Sequence, residues 1–495
     1  MYVIPLVLAA VVLGWVAGHR ADGAAVTGLR SVVRMLLWAG VGLPLLQGLS
    51  RHLGVGRAAT VLLSATALLA LVVLYGRGPR SGAPARWRRG SQVINAQPRQ
   101  RGWWRCPCRG STSSLRAQPH GHAGVHIAGI AVPAADETKH FKFIGTTGSG
   151  KSTAIHALLA AALARGDRAV IADPDGGYLQ RHYDAQRGDV ILNPFMGAGA
   201  RWSPFLELRD PQDARELSRA WIGTSTGESA VWHGYAETFL AAVLARLSSL
   251  PEGTPEELLR VLGSASLEEL RALLSMTSAA PLLEVGNERM FGSVRAITMS
   301  RLAVLPELLR AQGPAFSVRD WVDSGRGVLF LPYRANEIAT LRQVISTWLR
   351  LSIFQSMACG EGDRQLWFVV DELDALGAID GLKDALARLR KFGGRCVLGF
   401  QSLAQVSGTY GMAEARTIVE NCATTLILRC STSEGGGTAR FASQLIGQRE
   451  VERVHESVSH DESGRRVSRS LNRQVLLEEA VLPAQIEALA DLEGY

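Results

Sequence analysis

The 495-residue chain is long enough for a membrane region plus one large domain, or for two or three domains of ordinary size. Its net charge of +8 hides an asymmetry: residues 1–135 hold fifteen arginines, no lysine and one acid, Asp22, so the rest of the chain is net negative, which excludes a broad electrostatic grip on nucleic acid there and leaves only local patches. Six cysteines, at 106, 108, 359, 396, 422 and 430, are too sparse for a disulfide framework; four lie in apolar or strand-like surroundings that suit reduced, buried thiols in a cytoplasmic main body.

Tyr2 to Gly18 and Ala58 to Tyr75 are uncharged apolar runs of a length that crosses about 30 Å of hydrocarbon as helices. The first has no positive segment before it and no clear cleavage site, so it reads as a span rather than a removable signal. Met35 to Leu49, interrupted by Pro44, is a third span or a re-entrant piece, which makes residues 1–76 a transmembrane region of two or three helices. Arg77, Arg80, Arg86, Arg88 and Arg89 follow at once and place everything downstream on the cytoplasmic side. With three spans the N-terminus is outside and Arg20, Arg30 and Arg34 move inside.

Residues 77–126 form a basic linker rich in Gly, Pro, Ser and Arg, without helical or strand periodicity. Trp87, Trp103 and Trp104 among its arginines fit interfacial anchoring against anionic membrane lipid, with contact to single-stranded nucleic acid as the alternative. Cys106 and Cys108 have no second cysteine pair at zinc-ligand spacing, although His120, His122 and His126 lie nearby, and no zinc site is predicted.

His140 to Ile144 alternates like a strand and Ala154 to Ala164 is an apolar helix. Between them, "GTTGSGKST" places Gly145, Thr146, Thr147, Gly148, Ser149, Gly150, Lys151, Ser152 and Thr153 in the strand, loop, helix order of a phosphate-binding loop. Gly148 and Gly150 let the backbone bend so that N–H groups surround phosphates, Lys151 reaches the β and γ oxygens, and Ser152 serves Mg²⁺. A second strand, Arg168 to Asp173, runs into "DPDGGY", where Asp173 either approaches the site or caps the turn. Between Pro211 and Arg310 strand signals stop, and helical stretches with acid-rich starts at Thr254-Pro-Glu-Glu and Ser266-Leu-Glu-Glu predict an all-α insertion over 211–310. Sheet character resumes at Gly327 to Leu331, so the nucleotide-binding domain consists of residues 127–210 and 311–495.

Leu366 to Val370 is an apolar run ending in Asp371 and Glu372, the pattern of a buried parallel strand that delivers acids to the sheet's C-terminal edge. Asp371 would organise the Mg²⁺ shell and Glu372 would polarise the attacking water. Arg388, Arg390, Lys391 and Arg395 crowd the end of the next helix, where they suit the helix dipole or supply a finger to a neighbouring subunit. A strand from Cys396 to Phe400 ends in Gln401, an amide that senses γ-phosphate or faces solvent in a turn. With a further strand over Asn421 to Cys430, the alternation predicts an α/β, doubly wound, mostly parallel sheet.

The ordered landmarks "FIGTTGSGKST", "DPDGGY", "VILNPF", "WSPFLELRD", the Trp232/Tyr235 helix start, "LWFVVDELDALG", "LRKFGGR" and "GFQSLAQVSGTYG" resemble the conjugative coupling proteins of the TraD/TrwB type, from about residue 127 onward. The resemblance implies a RecA-like P-loop motor with an inserted all-α domain and a multi-pass N-terminal anchor in the bacterial inner membrane, assembled as a homo-hexamer. It implies ATP with Mg²⁺ as cofactors, hydrolysis by Lys151, Glu372, Arg390 and Gln401, and Ser152 with Asp371 at the metal. Arg390, by its position beyond Asp371, matches the family's candidate arginine finger, and Gln401 its strand-tip glutamine. Implied partners are single-stranded DNA, a relaxase or relaxosome, and inner-membrane components of a type IV secretion system. Two other readings stand beside this one: an adaptor for protein substrates, and a double-strand DNA translocase of the chromosome-partitioning kind. The latter needs a C-terminal winged-helix reader, and nothing after Leu426 looks like one. Relaxosome docking by a long acidic tail is not predicted.

Overall fold

Phe141 to Ile144 (β1) buries all four of its residues, which requires neighbours on both sides and cover on both faces. The computed structural model describes residues 86–91, 124–197, 199–223, 225, 227–251, 253–362, 364–432, 436–460 and 466–495. The expected spans and the Cys106/Cys108 pair lie outside these residues, and no helix among the described residues is long and apolar enough to cross a membrane. The chain divides into one unit of residues 1–86 and 452–476 and another of 87–451 and 477–495; the architecture below belongs to the second, except for the stretches of the last two strands that lie within 452–476.

Six further strands join β1: Arg168–Pro174 (β2), Val190–Ile191 (β3), Val328–Tyr333 (β4), Leu366–Val370 (β5), Gly394–Phe400 (β6) and Thr424–Ile427 (β7). They form one sheet in the order β7-β1-β6-β5-β2-β4-β3, every pairing parallel. The order reverses beside β1, so loops following β1, β5 and β6 converge at one edge, the topological switch point where α/β sheets hold ligands.

Helices Lys151–Ala164 (α1) and Gly177–His182 (α2) follow β1 and β2. Seven more run between β3 and β4: Asp213–Ile222 (α3), Ser229–Ser248 (α4), Pro255–Ser264 (α5), Leu267–Leu274 (α6), Glu288–Arg301 (α7), Leu305–Arg310 (α8) and Val318–Ser324 (α9). The starts expected at Thr254 and Ser266 are real caps: each side chain accepts the N–H three residues on, from Glu257 and Glu269, both at 3.1 Å. Arg260 then ties Glu257 to Glu269.

The longest helix, Ile338–Ala358 (α10), carries Trp348 into an edge-packed cluster with Trp202 and Trp221, at centroid distances of 5.8 and 5.2 Å from Trp202. Beyond it come Leu382–Leu389 (α11), Leu403–Tyr410 (α12), Met412–Glu420 (α13) and Gly437–Ile446 (α14). Two long adjacent strands, Gln448–His460 (β8) and Arg466–Glu479 (β9), precede a last short helix, Pro483–Glu487 (α15).

Two sequence expectations change here. Cys396, Cys422 and Cys430 are buried free thiols, but Cys359 is half-exposed and donates to Asp323 at 2.7 Å. Arg395, grouped by sequence with the helix-end cations, starts inside β6 instead, where it is 3% exposed and bonds the buried Glu137 carboxylate at 3.1 Å.

Candidate functional site

Gly148 and Gly150 hold φ of +77° and +106°, left-handed conformations that let the chain turn from β1 into α1 and that side chains resist. The loop is also held from outside. Thr146 donates its N–H and its hydroxyl to the Arg429 carbonyl at 2.9 and 3.1 Å, and Ser149 bonds back to the Thr146 carbonyl. On its far side, the Leu492 N–H donates to the Ser149 carbonyl at 2.9 Å. The Leu492 side chain closes on Gly150 so tightly that a Cβ there would stand 2.3 Å from it. Arg429 pairs with Asp491 at 2.8 Å and Tyr495 exchanges backbone hydrogen bonds with Ile427 of β7, fixing this outer segment. Thr147, Ser152 and Thr153 remain exposed at the mouth of the loop.

Lys151 and Asp371, from α1 and the end of β5, are both buried, with Nζ 3.4 Å from Oδ1. The Ser152 hydroxyl donates to Asp371 Oδ2 at 2.5 Å, and a second hydroxyl, from Tyr178, donates to the same oxygen at 2.8 Å. Asp371 Oδ1 is buried and accepts no hydrogen bond. Gly399 in β6 makes room for this carboxylate, since a Cβ at that position would lie 2.9 Å from Oδ1 and 2.2 Å from the backbone oxygen of Asp371.

Glu372 and Gln401 follow β5 and β6, which are adjacent, and the Gln401 amide donates to Glu372 Oε1 at 3.4 Å. The strand-tip glutamine therefore faces the acid rather than a solvent turn. Asp173 is the cap: its carboxylate accepts the N–H groups of Tyr178 and Leu179 at 2.9 and 2.6 Å, starting α2. Burial pushes its pKa up to about 6, against those two amides and with the Asp371 charge adding to the rise.

Arg390 lies apart from this group. It is exposed just before β6, near His140 just before β1, at the opposite edge of the sheet from the phosphate loop of its own chain.

Tyr178, Gly399 and Leu492 were missed from sequence. Only "DPDGGY" marked the first as part of a landmark, and a glycine two positions before Gln401 was the sole sign of the second.

A hydroxyl and a carboxylate whose buried oxygen accepts no hydrogen bond, with an ammonium beside them for phosphate, suit Mg²⁺ carried on a nucleotide, which takes one or two carboxylates plus phosphate oxygens. No cluster of three or more His, Cys, Asp or Glu side chains forms a metal cage among the described residues. The residues fit a shared metal rather than a resident one.

Residues 124–495 match the family model described as the type IV secretion-system coupling protein DNA-binding domain. Coupling protein TraD of Escherichia coli strain K12 is 31% identical over 379 residues, 75% of this chain and 52% of TraD, so the chain spans about half the length of that relative. The unbound monoclinic form of the bacterial conjugative coupling protein TrwBdeltaN70 superposes with a TM-score of 0.71 at 30% identity, over 84% of this chain and 92% of that one. Plasmid coupling protein TrwB in complex with ADP and Mg²⁺ gives 0.68 at 29% identity with the same coverage. The expected RecA-like α/β class holds for this chain.

Proposed function

Since the chain belongs to the family of type IV secretion-system coupling proteins, we propose that it is a membrane-anchored ATPase that brings relaxase-bound DNA to a type IV secretion channel and drives single-stranded DNA through it during conjugation. The observation that carries the reading is the meeting of Ser152, Lys151 and Asp371 beside the Glu372–Gln401 pair, from three loops at one sheet edge.

In this reading the loop from Gly145 to Thr153 holds the nucleotide phosphates, Lys151 balances their charge, and Ser152 and Asp371 hold the cation. When bound, Mg²⁺ supplies charge neutralisation on the β and γ oxygens. Glu372 orients the attacking water and takes up its proton, and Gln401 holds the Glu372 carboxylate in place. Arg390, far from its own loop, acts on the γ-phosphate of the neighbouring subunit in a homo-hexamer. Residues 1–76 anchor the protein in the bacterial inner membrane in several passes, 77–126 lie against lipid, and 127–210 with 311–495 form the cytoplasmic motor. The insertion over 211–310 supports a nucleic-acid role: Trp232 and Tyr235 expose their rings at the start of α4, 6.1 Å apart, and rings so placed suit base stacking. Relaxase and the inner-membrane components of the secretion system are the protein partners.

The test is phosphate release by the purified full chain in detergent with and without single-stranded DNA. DNA stimulation that disappears in Lys151→Ala supports the reading; hydrolysis indifferent to DNA, or unchanged in that variant, sinks it.

A further inference from the structure

We propose that Tyr178 is a positioning residue for the metal side of the phosphate site: its hydroxyl holds one oxygen of Asp371 and so keeps the other, the one beside Lys151, turned to where a divalent cation on the nucleotide would sit. The proposal rests on the nucleotide reading given above and explains the "DPDGGY" landmark, which that reading leaves without a role.

The two oxygens of Asp371 are treated differently. Oδ2 receives both hydroxyls, from Ser152 at 2.5 Å and Tyr178 at 2.8 Å, whereas Oδ1 is buried without any hydrogen-bond donor. The Lys151 ammonium stands 3.4 Å from Oδ1 as its counter-charge; once nucleotide phosphates engage Lys151, a divalent cation would take that place beside the buried oxygen. With Oδ2 tied on two sides, the carboxylate cannot rotate to satisfy Oδ1 elsewhere without breaking a charge-assisted bond.

Tyr178 is itself held rigidly. Asp175 and Gly176, with φ of +57° and +72°, turn the chain, and the Asp173 carboxylate fixes the start of α2 through the Tyr178 and Leu179 amides. Tyr178 and His182 stand four residues apart, on one face of the helix, and both meet His156 of α1. The Tyr178 ring lies 4.2 Å from the His156 ring, and His156 Nδ1 is 2.9 Å from His182 Nε2. The tyrosine is 2% exposed, so phenylalanine would fill the same space, and the hydroxyl that it would lose is the one that donates to Asp371.

The experiment is binding of a fluorescent ADP analogue to the full chain in detergent, titrated with Mg²⁺ and repeated in EDTA. Tyr178→Phe is expected to raise the Mg²⁺ concentration for half-maximal metal-dependent binding about tenfold, as for loss of one hydrogen bond to a charged group, and to leave EDTA binding unchanged. His156→Ala, which frees the ring, is expected to shift it the same way by a smaller factor, and His156→Phe, which keeps a stacked ring, to follow the unaltered protein. A Mg²⁺ curve unchanged in Tyr178→Phe overturns the proposal, as does an equal loss of binding with and without Mg²⁺, the mark of a merely structural tyrosine. Should Tyr178→Phe not fold, an unchanged Mg²⁺ curve in His156→Ala overturns it. If the unaltered protein binds no analogue in either condition, the nucleotide reading fails instead.

Discussion

The Gln401 side-chain amide donates to Glu372 Oε1 across 3.4 Å, from the tip of one parallel strand to the residue just beyond the tip of its neighbour. The bond ties one oxygen of the carboxylate to the end of the neighbouring strand. Glu372→Gln should therefore bind nucleotide normally and lose about 10²- to 10⁴-fold in turnover, the range for removal of a general base. Gln401→Ala should lose about tenfold, since it loosens the base without removing it. Single-turnover phosphate release set against analogue binding separates the two effects.

Arg390 is exposed at the opposite edge of the sheet from the phosphate loop of its own chain, so on the proposed reading its contribution comes from the next subunit. Arg390→Ala should cut turnover by about 10³-fold or more. Mixing it with Lys151→Ala should restore part of the activity, because some subunit boundaries then pair an intact Lys151 with an intact Arg390. Failure of every mixture, with both variants assembling, would sink the shared-site arrangement.

The fully buried Glu137 carboxylate accepts two bonds from Arg165, at 2.9 and 2.8 Å, and one from Arg395 at 3.1 Å. Burial alone would raise its pKa, but Arg165 and then Arg395 outweigh that and hold it below the ordinary 4.5. Glu137→Gln removes the carboxylate that Arg395 bonds and that shares Arg165 with Asp167, and should cost about 1–3 kcal/mol, read as a lower urea midpoint without a change in slope. The deficit should be full above pH 4.5 and shrink as the pH falls through the depressed folded pKa, because protonation then removes the same charge from the unaltered protein.

His140 accepts the Cys396 N–H at Nδ1, 3.1 Å away, and offers Nε2 to the Leu386 carbonyl at 3.0 Å, an arrangement that requires the neutral ring. Burial, aided by the Arg390 charge and opposed by the Leu386 carbonyl, pulls its pKa from 6.5 down to about 4. Between those values the unfolded chain binds a proton that the folded one does not, so stability falls as pH drops through the window, by up to about 1.4 kcal/mol per pH unit. His140→Asn, which tolerates the local φ of +62°, should flatten that part of the pH profile measured by chemical denaturation.

The phosphate loop, the strand ending in Asp371 and Glu372, and the inserted helices could be read from sequence because each has a local signature: glycine spacing, a continuous apolar run, a capped acidic start. Helix α10 could not. Its residues are buried on nearly every side, Ser346, Thr347, Ser352 and Ser356 included, so no polar stripe betrays the helical period. Strands β8 and β9 escaped for the opposite reason. Leu471, Val475 and Leu477 of β9 are exposed among charged residues, so no alternation separates an inner face from an outer one. Within the site, the residue types were legible but their partners were not: Tyr178 reaches Asp371 across 193 positions, which only the sheet order determines.

Helix α10 begins immediately after Glu337, whose carboxylate accepts from the Arg334 N–H and the Asn193 side chain, and Asn193 also grips the Pro332 carbonyl at the end of β4. Farther along, Gln343 bonds the Ala220 carbonyl of α3, and Trp348 packs on Trp202. At 21 residues it is a rod about 31 Å long, anchored at the edge of the sheet that carries Asp173 and Asp371. Its far end is tied as well, where Gln355 donates to Asp323 of α9, so a single continuous strut joins the sheet edge that carries the site to the helical layer at its start, along its length and at its end.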